Sequence, residues 1–267
     1  MELRELYETD SDFRGHVDRY CMNYCEGKRI TVEEALTHAM VRNYAEQRGE
    51  KRMRVLPILF NTDMVRAIMD GRKTVTRRVV KPQPTKAMIH KLGICVDGDK
   101  NDIGKFGFGS HECGGHVCYV KPPYKIGDIL YVRETWSEWI GGYLYKAWTS
   151  PFAQPGECKA MKWHPSIHMP KEAARIFLKV KDVRVERLQD ITEEQALKEG
   201  IHYDECPSGY TWKQITSMVD CYTSAVGAFR HLWYKTIKRD DVEIYGWDAN
   251  PWVWVIEFER CEKPENF

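Results

Sequence analysis

The sequence predicts an α+β fold, and three observations point to it. Apolar runs of strand length or strand alternation recur at Pro57 to Phe60, Ile129 to Arg133, Ala174 to Leu188 and Trp252 to Arg260. Helical spacing falls between them, chiefly at Met64 to Met69 and Thr216 to Lys238. Positive charge gathers at one corner: eight Lys or Arg lie between Arg66 and Lys91 against one acid, Asp70. The chain as a whole is balanced, with 40 basic and 39 acidic residues. A bulk polycation is therefore excluded, and any nucleic-acid contact has to come from a local patch.

Residues 1–55 read as a separate helical arm. Ser11 and Asp12 can cap a helix through Phe13, Val17, Tyr20, Cys21 and Tyr24. Thr31 opens a second one, with Glu34 completing a capping box and Ala35, Leu36, Ala39, Met40 and Tyr44 inward. Two such helices bury little alone. They are expected to pack on the main domain, on a second copy or on a partner.

The main domain is expected over 56–262. Pro57 to Phe60 reads as a buried strand, Asn61 to Asp63 as a helix cap, and Gly71 as the helix stop. In the strand that follows, Thr74, Thr76 and Arg78 share one face, and Val75, Arg77 and Val79 the other. Two insertions, about 85–124 and 137–172, interrupt the domain. The first carries Cys95, His111, Cys113, His116 and Cys118, which are zinc-ligand types in a spacing that matches no standard zinc pattern. No cofactor is expected, and a Gly-rich hairpin is the plainer reading. Gly127 and Asp128 turn the chain into the strand from Ile129 to Arg133. A partner strand follows at Tyr143 to Trp148, and Ile191 to Glu194 caps a short helix ending at Glu199 and Gly200. Nine cysteines without a regular framework fit a reduced, cytoplasmic setting, and no apolar run approaches the ~20 residues of a spanning helix.

Gly71-Arg72-Lys73-Thr74-Val75-Thr76-Arg77-Arg78 resembles the Gly-x-Lys-x-x-x-x-Arg signature of ASCH domains, small β-barrels of the PUA-like superfamily. The Lys-x-x-Thr form resembles the ASCH enzymes that hydrolyse the acyl amide of N4-acetylcytidine. Lys125 to Glu134, Leu188 to Gly200 and the closing strand agree with the domain. The arrangement is also similar to ASCH-like proteins of phages and prophages. This resemblance implies a PUA-like barrel and the catalytic set Lys73, Thr76 and Glu199. Thr76 would be the nucleophile, Lys73 its base and Glu199 the proton donor to the leaving amine. Arg78 would hold a phosphate or polarise the carbonyl, Arg72, Arg77 and Arg133 would bind the substrate or nucleic acid with it, and Trp136 and Trp163 would stack a base, with Trp139 and Tyr143 as further candidates. The partner implied is a nucleoside, nucleotide or nucleic acid. Two other classes of function use the same chain: a non-catalytic reader of RNA, DNA or a modified base, and a phage-encoded interaction protein.

Overall fold

Successive residues of the last long strand face two different cores, and the molecule is arranged around that division. The computed structural model describes residues 54–267 apart from 86, 96–98, 112–113, 140, 149–161, 206–207, 213–220 and 266, with 4, 7–8, 13–14, 17 and 31–37 before them. The elements are α1 (Val32–Thr37), β1 (Val55–Leu59), α2 (Thr62–Met69), β2 (Val75–Val79), β3 (His90–Ile94), β4 (Phe106–His111) and β5 (Gly114–Val120). They continue with β6 (Ile129–Arg133), β7 (Trp136–Trp139), β8 (Gly142–Tyr145), β9 (Phe177–Arg187), α3 (Glu193–Lys198), β10 (His202–Glu205) and β11 (Ser208–Thr211). The chain closes with α4 (Ala225–Thr236), α5 (Val242–Tyr245) and β12 (Trp252–Cys261).

Five strands form the central sheet in the order β1-β6-β9-β12-β2. The β1 and β6 pair is parallel, and the other three pairings are antiparallel. On β12, Trp252, Trp254, Ile256 and Phe258 enter one core with Ile58, Phe60, Val65 and Ile68. Val253 and Val255 enter the other, with Val75, Leu188, Phe229 and Leu232 beneath α3 and α4. Between Glu257 and Phe258 the register slips by one, because β9 carries an extra residue there, Lys181, as in a β-bulge. The Phe258 amide there donates to the Thr74 carbonyl at 2.9 Å.

The expected closed barrel is corrected to an open sheet. No backbone ladder joins β1 to β2 among the described residues; instead the Arg78 guanidinium on β2 donates to the Leu59 carbonyl on β1 at 2.7 Å. The reason lies in β1, read from sequence as buried but standing at a sheet edge with Pro57 and Leu59 exposed. Pro57 has no N–H to offer a neighbour, and the Tyr124 hydroxyl takes up its carbonyl at 3.0 Å.

Most boundaries follow local chemistry. Asn61 caps α2 by accepting from the Met64 amide, and Thr192 with Gln195 forms a capping box on α3. In the arm, the box of Thr31 and Glu34 is present, and Phe13, Val17, Ala35 and Leu36 are buried. The rest of the two expected helices lies outside the described residues. The first insertion forms a three-stranded sheet, β3-β4-β5, whose Phe108 and Val120 complete the inner core. The second supplies the β7-β8 hairpin and two 3-10 turns, and its residues 149–161 lie outside the described set. The helix expected from Thr216 is described over Ala225–Thr236, capped by Ser224.

Where β2 ends, the Gln83 side chain replaces a strand residue. Its amide donates to Val80 and Trp252 carbonyls and accepts from the Trp252 amide. Gln83→Ala is expected to cost about 1–3 kcal/mol, because the Trp252 N–H is left without a partner. A lowered urea midpoint with unchanged slope checks this.

Candidate functional site

The α2-to-β2 corner sets the site. Gly71 leaves the helix in the left-handed region, at φ 75°, and the Lys73 amide donates to the Ala67 carbonyl at 3.0 Å. Thr74 then donates to the Lys198 carbonyl at 2.9 Å, and an isolated bridge joins Lys73 to Glu199. The end of α3 is thereby stitched onto the start of β2. Gly200 makes the approach possible: it sits at φ 101°, and a Cβ there would stand 2.9 Å from Ala67 Cβ and 3.3 Å from Lys73 Cβ.

Lys73 is fully buried, and all three ammonium protons have acceptors. Nζ donates to Glu199 Oε2 at 2.7 Å, to the Val75 carbonyl at 2.8 Å and to the Glu199 carbonyl at 2.9 Å. Burial pushes the Lys73 pKa below the ordinary lysine value; Glu199 opposes this, and the charges of Arg78 and Arg77 add to it. Glu199 also accepts from Arg77 through Oε1 at 3.2 Å. Arg77 reaches Glu186 at 3.0 Å and Gln195 at 2.8 Å with its other nitrogen, while its Nε is buried without a partner among the described residues. Gln195 is the capping-box residue of α3, so one guanidinium grips both ends of that helix.

Strand alternation divides the neighbouring basic residues. Arg77 stands opposite Val255 and turns toward the outer core, with its guanidinium 5.9 Å from the Phe229 ring centre. Thr76 and Arg78 stand opposite Ile256 and Trp254 and turn inward. Thr76 is buried, and no side-chain hydrogen bond engages it among the described residues. Arg78 is half-buried at the seam between the two edge strands, 5.4 Å from the centre of the Phe60 ring. Lys73 Nζ is 5.7 Å from that same ring.

The structure therefore brings Lys73, Glu199 and Arg77 into contact and places Thr76 and Arg78 on the next strand residues. Several others already carry contacts within the chain. Arg77 is consumed internally. Arg72 is held by the Gly200 carbonyl and Asp70, both at 2.8 Å. Arg133 gives two nitrogens to the Met169 carbonyl. Trp136 is buried, stacked on His164 with ring centres 4.9 Å apart. Trp163 is half-buried in the same loop, whereas Trp139 and Tyr143 are exposed on opposite faces of the hairpin. Among the described residues no three metal-ligating side chains converge; Cys95 and Cys118 are half-buried, His111 and His116 are exposed, and Cys113 lies outside them. No helix among the described residues is long and apolar enough to cross a membrane.

Sequence reasoning missed Glu186, Gln195, Phe60 and Tyr124. The available signal was physical: an arginine on the buried face of a strand requires acids from neighbouring elements. An open cleft of about 230 Å³ also lies beside the Gly200 bend, lined by Asp63, Arg66, Asp70, Arg72, His202 and Trp212 among others. Family models, curated proteins and solved structures give no match to this chain.

Two stability outcomes follow from the geometry. Glu199→Leu leaves buried Lys73 without its acid and Arg77 with Glu186 alone, and is expected to cost about 3–5 kcal/mol. Gly200→Ala is expected to cost about 1–3 kcal/mol through backbone strain and the contact with Ala67. Chemical denaturation of each variant measures both.

Proposed function

We propose that this chain is an ASCH-type protein directed at a nucleoside, nucleotide or nucleic acid, and that it hydrolyses the acyl amide of an N4-acylated cytosine. The observation that carries the reading is the buried contact of Lys73 with Glu199, 126 residues apart in sequence and 2.7 Å apart in space. These are two of the three residues the resemblance assigns to catalysis. The third, Thr76, lies on the adjoining strand with a hydroxyl that no other side chain engages among the described residues.

In this mechanism Lys73, as the amine, takes the Thr76 hydroxyl proton while Oγ1 attacks the acyl carbon. Burial and the adjacent guanidinium charges favour that amine form. Collapse of the tetrahedral intermediate breaks the bond from carbonyl carbon to N4, and the proton returns to N4 through the Lys73 and Glu199 pair. Water then hydrolyses the threonine ester and releases the carboxylic acid. Arg78, with donors beyond the one given to Leu59, supplies positive charge to the carbonyl or to a phosphate.

One observation favours a second reading, a non-catalytic reader of a modified base. Three acceptors around Lys73 Nζ match an ammonium, which neither needs nor takes a proton. Incubation with N4-acylated cytosine nucleosides and oligonucleotides, followed by mass, separates the two readings. Acyl loss supports the hydrolase; tight binding without turnover across several acyl groups supports the reader.

For the hydrolase, Thr76→Ala and Lys73→Met should each remove turnover by orders of magnitude, and the double change should be scarcely worse than either. Thr76→Ala should leave the denaturation midpoint nearly unchanged. Turnover should rise with pH as Lys73 loses its proton, with the rise falling below the ordinary lysine range because burial lowers that pKa. A rate profile flat across that range would count against Lys73 as the base.

A further inference from the structure

We propose that Arg72 and His202 form a proton-sensitive clasp on the Gly200 bend, making them positioning residues for Glu199. Arg72 NH1 donates to the Gly200 carbonyl at 2.8 Å and meets His202 Nδ1 at 3.3 Å, while NH2 pairs with Asp70 at 2.8 Å. A guanidinium nitrogen has no lone pair to offer, so His202 Nδ1 accepts and its proton sits on Nε2. The clasp in this form therefore requires a neutral imidazole.

The bend it holds is a demanding one. Gly200 is in the left-handed region, and its neighbours Ala67 and Lys73 leave no room for a side chain. The residue before it, Glu199, ends α3 and carries the carboxylate that meets Lys73 and Arg77. Protonating His202 turns Nδ1 into a donor aimed at a donor. Arg72 then moves toward Asp70, the Gly200 carbonyl exchanges the guanidinium for the imidazolium that competes for it, and the two-pronged hold on the segment carrying Glu199 loosens.

The surrounding charges set the direction. Burial lowers the His202 pKa first and the Arg72 charge second; Asp204 on its own strand, the Gly200 carbonyl and Asp70 at the α2 corner act in the opposite sense. Asp63 and Arg66 of α2 line the same cleft, and Trp212 lies across it. With the folded value below the unfolded one, the stability the clasp contributes is present above the ordinary histidine range. It is lost as pH falls toward the folded pKa.

The consequence for turnover rests on the function proposed above; the clasp itself does not. Nuclear magnetic resonance on the full chain tests it through the His202 ring signals and the hydrogen-exchange protection of the Glu199 and Gly200 amides, corrected for intrinsic pH dependence. His202 should titrate below the histidines of the urea-unfolded chain, and the protection of both amides should fall as it protonates. His202→Asn, whose side-chain oxygen accepts from Arg72 but does not titrate, should keep protection through the same range. Arg72→Met should move the His202 titration upward. A His202 that titrates with the unfolded histidines, or protection indifferent to its protonation, overturns the proposal on the unmodified protein alone, whatever the variants do. Loss of protection persisting in His202→Asn overturns it equally. An acyl-cytosine assay on the same samples keeps the questions apart: no turnover alongside an intact clasp removes the hydrolase and leaves the clasp standing.

Discussion

Two cations buried at the edge of a sheet have to be neutralised, and the path of the chain follows from how that is done. Lys73 and Arg77 sit where water cannot serve them, and an unpaired charge there would cost several kcal/mol. Their acid, Glu199, comes from the far end of the domain, carried in by α3 and turned at Gly200. The capping box of α3 joins the same group through Gln195, so helix start, helix end and strand β2 share a single electrostatic anchor. Outside it Arg184 continues the network, binding Glu186 at 2.7 Å and Asp182 at 2.8 Å toward the surface. Hydrophobic burial shapes the two cores, but this cluster specifies which elements meet between them.

The period-two geometry of a strand gives adjacent arginines opposite fates. Arg77 becomes internal architecture, and Arg78 one residue on retains donors at the seam. The same rule brings Thr76 to the Arg78 side. Internal support and the donors left at the seam thus share one five-residue segment.

Much of this is legible in the order of the amino acids. The alternation of Thr74 to Val79, the caps at Asn61, Thr31 and Thr192, and the helix stops at Gly71 and Gly200 are local chemistry and can be read residue by residue. The pairing of Lys73 with Glu199 is written in no local pattern, since the two stand 126 residues apart. The destination of each basic side chain is not legible in this way. A Lys or Arg rich corner has the same sequence signature whether its charges face solvent or acids, because the acids arrive from elsewhere in the chain. Arg72, Arg77 and Arg133 therefore read as available and are committed. The open sheet is hidden for a similar reason: Pro57 in a short apolar run is compatible with a buried strand until its neighbours are known.

Strand β1 also bears on how the protein behaves in company. An exposed edge normally offers alternating donors and acceptors to which another chain can add. Here the outward carbonyls of Pro57 and Leu59 are occupied by Tyr124 and Arg78, and Pro57 has no donor to present. A foreign strand approaching this edge finds two acceptors occupied and one donor missing. The side chains that hold the seam together thus also guard it against templated aggregation, and anything that draws Arg78 away from Leu59 would relax that guard for as long as it stays bound.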